Sequence, residues 1–118
     1  MTLYISTAHQ EEIKLALIKQ GKIIFSREFS APRLQSEKLL PEIDRLLKKA
    51  KLKLKDLKKI KIADGGGSFT SLRIGVLTAN ALAYALGIPI ETESGAQPKK
   101  KQGVMVAEPQ YDRGPNIG

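Results

Sequence analysis

The residues best suited to chemistry are the run Gly65-Gly66-Gly67-Ser68-Phe69-Thr70-Ser71-Leu72-Arg73-Ile74-Gly75, three glycines and several hydroxyls set between a strand-like and a helix-like segment. A strand that passes through a glycine-rich loop into a helix start makes an anion site, because unpaired N–H groups and the positive end of the helix dipole converge there. On that reading Gly65, Gly66, Gly67, Ser68 and Thr70 surround a phosphate, and Asp64 beside them could hold a magnesium-bound water. The run is neither a lysine-containing phosphate loop, since no lysine follows at the required spacing, nor a dinucleotide fingerprint. The same residue types have a structural use. Glycines give positive φ and close packing, Ser68 or Thr70 can cap the helix, and Asp64 can cap a turn.

Other chemistry is thinly supplied. The chain has no cysteine and one histidine, His9, so disulfides, thiolate metal sites and a histidine cluster are excluded. A nucleophile–base pair would need His9, whose neighbours Gln10, Glu11 and Glu12 read as the solvated lead-in to a strand. Glu91 and Glu93 are close in sequence, with nothing to place them around a common reacting atom. No catalytic residue, no metal and no cofactor of its own is expected. No run approaches the ~18 uninterrupted apolar residues of a membrane helix, and the N-terminus lacks a basic region followed by an apolar one, so a soluble cytoplasmic protein without a membrane partner is expected.

The formal charge of +8 is local. Lys48 to Lys61 holds eight of the twenty basic residues and one of the twelve acidic ones, leaving twelve against eleven elsewhere. This patch reads either as a solvated helix end with its following loop, or as an RNA-facing edge on which Lys48, Lys49, Lys51, Lys53 and Lys55 meet phosphates. It contains no aromatic residue to stack on bases, which argues against reading a sequence.

These residues need elements to position them. Residues 2–8 are short and rich in strand formers, and 11–29 read as a hairpin reversing at Gln20-Gly21, with Ile13, Leu15 and Leu17 on one face. Leu39, Leu40, Ile43, Leu46, Leu47 and Ala50 fall at helical spacing, with Ser36 as N-cap and a bend at Pro41. Lys58 to Asp64 predicts a fourth strand, Ser71 to Leu86 a second helix ending at Gly87, and Ile88 to Glu91 a fifth strand. The order is α/β. The second helix is apolar or small around nearly its whole circumference, which predicts burial on more than one side, against the sheet and against either the first helix or another chain. Gly75, Ala79 and Ala83, four apart, would let a neighbouring helix approach closely.

Laid out in this way, the chain resembles the TsaB (YeaZ) family of tRNA threonylcarbamoyladenosine biosynthesis. That family's signature runs G-P-G-S-F-T-G-L-R-I-G, and Gly65 to Gly75 agree at nine of eleven positions, with Gly66 for the proline and Ser71 for a glycine. The Ser36-Glu37-Lys38-Leu39-Leu40-Pro41 helix start, Leu54-Lys55-Asp56-Leu57 and Ala85-Leu86-Gly87-Ile88-Pro89 match as well, so the resemblance covers about residues 1–95. A family ending similar to E-P-x-Y-x-R stands here as Glu108-Pro109-Gln110-Tyr111-Asp112-Arg113. On that match, the segment around Pro98 to Gly103 replaces a second lobe.

The resemblance implies a single actin-like or ribonuclease-H-like (ASKHA) lobe: a mixed five-stranded sheet with two main helices and an extended C-terminal tail. Residues 1–93 would form the lobe, 94–103 a linker and 104–118 the tail. It implies a non-catalytic scaffold that pairs with the paralogue TsaD, the transferase subunit, with the ATPase TsaE joining that pair and tRNA reached indirectly. The family contact is a bundle of the two lobe helices from each partner. By that route Leu39, Ile43, Leu46, Leu47, Arg73, Val76, Ala79, Asn80 and Ala83 would face TsaD or, in its absence, a second copy of the chain. Many family members carry an Asp in the first strand where this chain has Ser6, which cannot order magnesium as a carboxylate can. Binding of ATP with magnesium is therefore the alternative reading, beside a small basic tRNA-contacting module.

Overall fold

The computed structural model describes residues 1–9, 11–31, 34–66, 69–101 and 103–110. Three strands open the chain, β1 (Thr2–Ser6), β2 (Glu12–Lys19) and β3 (Lys22–Ser30), and α1 (Gln35–Lys49) follows. After a 3-10 turn at Leu54–Asp56 come β4 (Lys59–Ile62), α2 (Phe69–Leu86), β5 (Ile90–Thr92), β6 (Lys99–Lys101) and β7 (Val104–Val106). The main sheet has the order β3-β2-β1-β4-β5, antiparallel from β3 to β1 and parallel from β1 to β5. This is the mixed five-stranded sheet with two helices that the sequence predicts.

Period-2 alternation decides which face each side chain takes. Leu3, Ile5, Ile13, Leu15, Leu17, Ile60 and Ile62 share one face and are fully buried beneath Leu39, Ile43, Leu46, Leu47, Val76, Ala79 and Ala83 of the two helices. The opposite face carries Lys14, Lys59, Lys61, Glu28 and Glu91, joined by Lys14–Glu28, Lys59–Glu91 and Lys61–Glu91 ion pairs. At the predicted hairpin reversal both central residues have positive φ, 52° at Gln20 and 78° at Gly21, as a turn matching the right-handed strand twist requires.

Two local expectations change. Ser36 does not cap α1: Leu34 precedes the helix and no side chain caps it. Instead Gln35, buried, donates from Nε2 to the carbonyls of His9 (3.2 Å) and Glu12 (2.6 Å), so the helix start is tied to β2 rather than closed on itself. The helix stays helical through Pro41 to Lys49. The segment 94–103, read as a linker, contributes β6, which pairs antiparallel with β7 in register Lys99 with Val106 and Lys101 with Val104. Lysines on β6 gain a partner that the sequence did not advertise, since Glu108 accepts from Lys101 at 2.8 Å and lies 3.2 Å from Lys99. Those two lysines hold the Glu108 carboxyl below the usual carboxylate range.

Both helices end in the same way. Gly87 (φ 65°) donates to Tyr84 and Ile88 to Ala83, while Lys51 (φ 60°) donates to Lys48 and Leu52 to Leu47. Each is a Schellman ending that needs a left-handed residue after the helix, a place glycine fills without steric cost. In α1 that residue is a lysine. Among the described residues no helix is long and apolar enough to cross a membrane.

Candidate functional site

The glycine run lies at the C-terminal edge of β4, where Asp64 and Gly65 leave the sheet and α2 begins a few residues on. Asp64 is fully buried, and both carboxylate oxygens are taken by one residue: Oδ1 accepts from Ser94 N at 2.9 Å and Oδ2 from Ser94 Oγ at 2.5 Å. Ser94 Oγ also accepts from Ala96 N at 3.1 Å. Of the two roles open to Asp64, the geometry supports the turn anchor, joining the end of β4 to the turn after β5. Gly65 forms a parallel bridge to Gln110, whose N–H donates to the Asp64 carbonyl. A Cβ at Gly65 would stand 3.2 Å from the Gln110 carbonyl oxygen, so the passing chain leaves tight room for any other residue there. Gly66 has φ 80°, a turning role. Thr70 is exposed on the first turn of α2, and Gly67 and Ser68 lie outside the described residues.

The first turn of α2 is held by a residue that the sequence reading passed over. Thr7, buried just beyond β1, donates from Oγ1 to the Ser71 carbonyl at 2.5 Å and accepts from Gly75 N at 3.0 Å. Ser71 and Gly75 are the two ends of one helical rung, and the threonine hydroxyl spans them. A Cβ at Gly75 would meet Thr7 Oγ1 at 2.7 Å and Ile62 Cδ1 at 3.3 Å. Gly75 therefore admits the chain's own sheet, not a neighbouring helix. Ser6 Oγ accepts from Ala8 N at 3.3 Å, a local bond at the place where a phosphate-ordering carboxylate would stand. Tyr4 donates to Glu93 Oε2 at 3.0 Å, and burial first, then that hydrogen bond and charge, push its phenol up to about 12.

The helix residues expected at a partner interface divide sharply. Leu39, Ile43, Leu46, Leu47, Val76, Ala79 and Ala83 are at most 5% exposed and belong to the chain's own core. They cannot present a docking surface without unfolding. Helical periodicity names the apolar positions but does not say which of them the sheet claims first. Asn80 is engaged too: its amide donates from Nδ2 to the Ala107 carbonyl at 2.9 Å and accepts from Ala107 N at 2.8 Å. It fastens the segment after β7 to α2. Arg73 is exposed.

What the helices leave outside is a different set. Thr70, Arg73, Leu77, Ala81 and Tyr84 recur every three or four residues along the outer side of α2, and Leu77 and Tyr84 are 58% and 70% exposed. Thus α2 is not covered all round, and the first helix does not finish the work. One groove, lined by Ser36, Thr70, Arg73, Ile74, Leu77 and Thr78, runs between α1 and this ridge; another, on its far side, is lined by Arg73, Leu77, Asn80, Lys101, Val106 and Glu108. Leu40 of α1 is also exposed. A leucine and a tyrosine two turns apart look like core positions in a sequence, and only their placement shows otherwise.

The lysine segment is exposed at Lys48, Lys49, Lys51, Lys53 and Lys55. Lys48 is paired with Asp44 at 2.9 Å, which gives it the solvated helix-end role. The other four form no ion pair among the described residues. His9 is exposed, and no group of three or more His, Asp or Glu side chains suited to a metal occurs among the described residues.

Residues 29–92 match the family model described as TsaD: tRNA N6-adenosine threonylcarbamoyltransferase. The chain is 31% identical over 97 residues to the tRNA threonylcarbamoyladenosine biosynthesis protein TsaB of Bacillus subtilis, covering 82% of this chain and 42% of that protein. It is 38% identical over 73 residues to the TsaB of Buchnera aphidicola, covering 62% and 35% respectively. The solved structure of YeaZ from Pseudomonas aeruginosa superposes with a TM-score of 0.70 at 26% identity, over 90% of this chain and 63% of that one. The chain therefore spans well under half the length of these curated relatives and somewhat under two thirds of the solved one.

Proposed function

Because this chain belongs to the TsaB (YeaZ) proteins of the TsaD family, we propose that it serves tRNA threonylcarbamoyladenosine biosynthesis as a non-catalytic scaffold that docks a TsaD-type subunit on the outer side of α2. The observation that carries the docking face is the ridge of Arg73, Leu77 and Tyr84, with two large apolar side chains more than half exposed between grooves. Leucine and tyrosine held in water on a rigid helix are costly to leave unpaired, and tyrosine and arginine are the residue types that anchor protein interfaces. The seven core residues first expected there support the ridge from beneath. TsaE enters through the TsaD pair, and the setting is the cytoplasm.

The non-catalytic part is supported by the engaged state of Asp64, Gly65 and Thr7. Asp64 anchors a turn, Gly65 lies against Gln110, and Thr7 is spent on the α2 rung. No nucleotide or magnesium is part of this reading, and calorimetry with ATP and magnesium should show no heat of binding. The deciding experiment is co-purification with the TsaD of the same cell. Leu77→Glu, at an exposed position, should abolish recovery of TsaD while leaving the thermal transition of this chain in place. Recovery of TsaD with the Leu77→Glu/Tyr84→Glu double variant would sink the proposal, and a self-association lost with the same variant in its stead would assign the ridge to a second copy.

A further inference from the structure

The topology gathers a second, sequence-distant set of lysines. Thr2 pairs with Ile18 on one side and with Lys59 on the other, and Lys58 N donates to the Met1 carbonyl at 2.8 Å. The Gln20–Gly21 turn and the start of β4 therefore lie at one end of the sheet, separated by β1 alone. With strands ~4.8 Å apart, Lys19 and Lys58 stand about 10 Å from each other. The exposed lysines Lys19 and Lys22 of the turn thus extend the edge formed by Lys49, Lys51, Lys53, Lys55 and Lys58. The carboxylates Glu11, Glu12, Asp64 and Glu93 sit at the other end of the strands. Seven exposed lysines, with Asp56 among them, thus gather at one end of the sheet.

We propose that this basic end of the sheet binds the phosphodiester backbone of RNA, independently of sequence. Lys48, Lys59 and Lys61 have carboxylate partners, whereas Lys49, Lys51, Lys53, Lys55 and Lys58 form no ion pair among the described residues. Lys51 adds a second observation. It takes the left-handed position after α1 that Gly87 takes after α2, so a lysine stands where the backbone favours glycine, and it lines a groove with Asp44, Lys48, Lys53 and Leu54. The helix dipole explains basic residues in the last turn of α1, but not those at Lys53, Lys55, Lys58, Lys19 and Lys22. With no aromatic residue in the segment, the contact is to phosphates and not to base faces. An interfacial lipid-binding helix would need an apolar face rich in Trp, Phe or Leu opposite its lysines, and the apolar face of α1 is buried in the core.

The proposal does not rest on docking at α2, and its test keeps the two apart. Binding of fluorescently labelled tRNA to the full chain is followed by anisotropy across a salt series. Five phosphate contacts predict a slope of log affinity against log salt of about −3 to −5. Lys53→Glu/Lys55→Glu should weaken binding about tenfold or more and reduce the slope by about two. Lys19→Glu/Lys22→Glu, on the turn, should act in the same direction. Lys38→Glu/Lys100→Glu alters net charge identically at exposed positions away from this end and should leave affinity within about twofold. Leu77→Glu should bind tRNA normally. Equal losses from the control and edge variants would overturn the proposal, as would absence of tRNA binding at about 50 mM salt. Binding to phosphatidylserine vesicles but not to tRNA, lost with the edge variants, would overturn it in favour of a lipid surface.

Discussion

At the level of single residues, Thr7 and Gly75 are one device. The hydroxyl of Thr7 enters the α2 rung from β1, and Gly75 is the only residue type that lets it come so close. Alanine at Gly75 would gain about 1 kcal/mol of helix propensity. Its Cβ would also be forced against Thr7 Oγ1 at 2.7 Å, and overpacking of that kind costs about 1–3 kcal/mol. The close approach should win, because the obstacle is a buried hydroxyl already committed to two hydrogen bonds and unable to turn away. Gly75→Ala is therefore expected to lower the unfolding midpoint in denaturant. Thr7→Ala should cost about 0.5–1.5 kcal/mol by removing the hydroxyl's bonds, since the Ser71 carbonyl and Gly75 N–H can still pair along the helix. The double variant should be less destabilised than the sum, since the first change removes the atom with which the second collides. Strict additivity in the denaturant midpoints would mean that the two residues are not coupled.

Among the elements, the two Schellman endings give an internal comparison. Gly87 and Lys51 occupy equivalent places after α2 and α1 with φ of 65° and 60°. A left-handed conformation costs a non-glycine residue about 1–2 kcal/mol, and glycine's greater freedom in the unfolded chain offsets part of that. Lys51→Gly should therefore raise stability by about 0.5–1 kcal/mol, seen as a higher thermal midpoint, while weakening tRNA binding at low salt. A variant that is no more stable would remove the reason for regarding Lys51 as strained. The helices themselves were legible in the sequence, because Leu39, Ile43, Leu46 and Leu47 repeat at helical spacing and Gly87 marks a stop. Which side of α2 met the sheet was not legible. Small residues at 75, 79 and 83 fit a helix neighbour and a sheet equally well, and only Thr7 and Ile62 beneath Gly75 decide between them. The start of α1 was misread for a related reason: Ser36 has the chemistry of a local cap, but Gln35 reaches distant carbonyls that no local pattern announces.

On the scale of the whole molecule, α2 carries three separate duties around its circumference: the sheet on one side, the chain after β7 on another, and the open ridge of Arg73, Leu77 and Tyr84. The glycine signature was legible as a loop between strand and helix, but the reason for Gly65 was not, because Gln110 arrives from forty-five positions later in the chain. That late segment also contains the strand pair expected as a linker, since lysine runs such as Lys99–Lys101 read as solvated until Glu108 is seen beside them. Asn80 is the clasp. Its amide takes both backbone groups of Ala107, which is 2% exposed, so Asn80→Ala would leave a buried donor and acceptor unsatisfied at about 1–3 kcal/mol each unless the segment lets go of the helix. Release costs less than two buried orphans, because residues 104–110 touch the lobe mainly along α2 and at Gly65. The expected result is therefore local: faster amide hydrogen exchange at Ala107 and Gln110, with the protection of β1, β2 and β4 retained. Detachment should also break the bond from Gln110 N to the Asp64 carbonyl, so the Gln110 amide should lose its protection outright. Uniform acceleration across the sheet would instead make the C-terminal hairpin an integral part of the lobe's cooperative core, and unchanged exchange at Ala107 would show that the Asn80 clasp does not hold it.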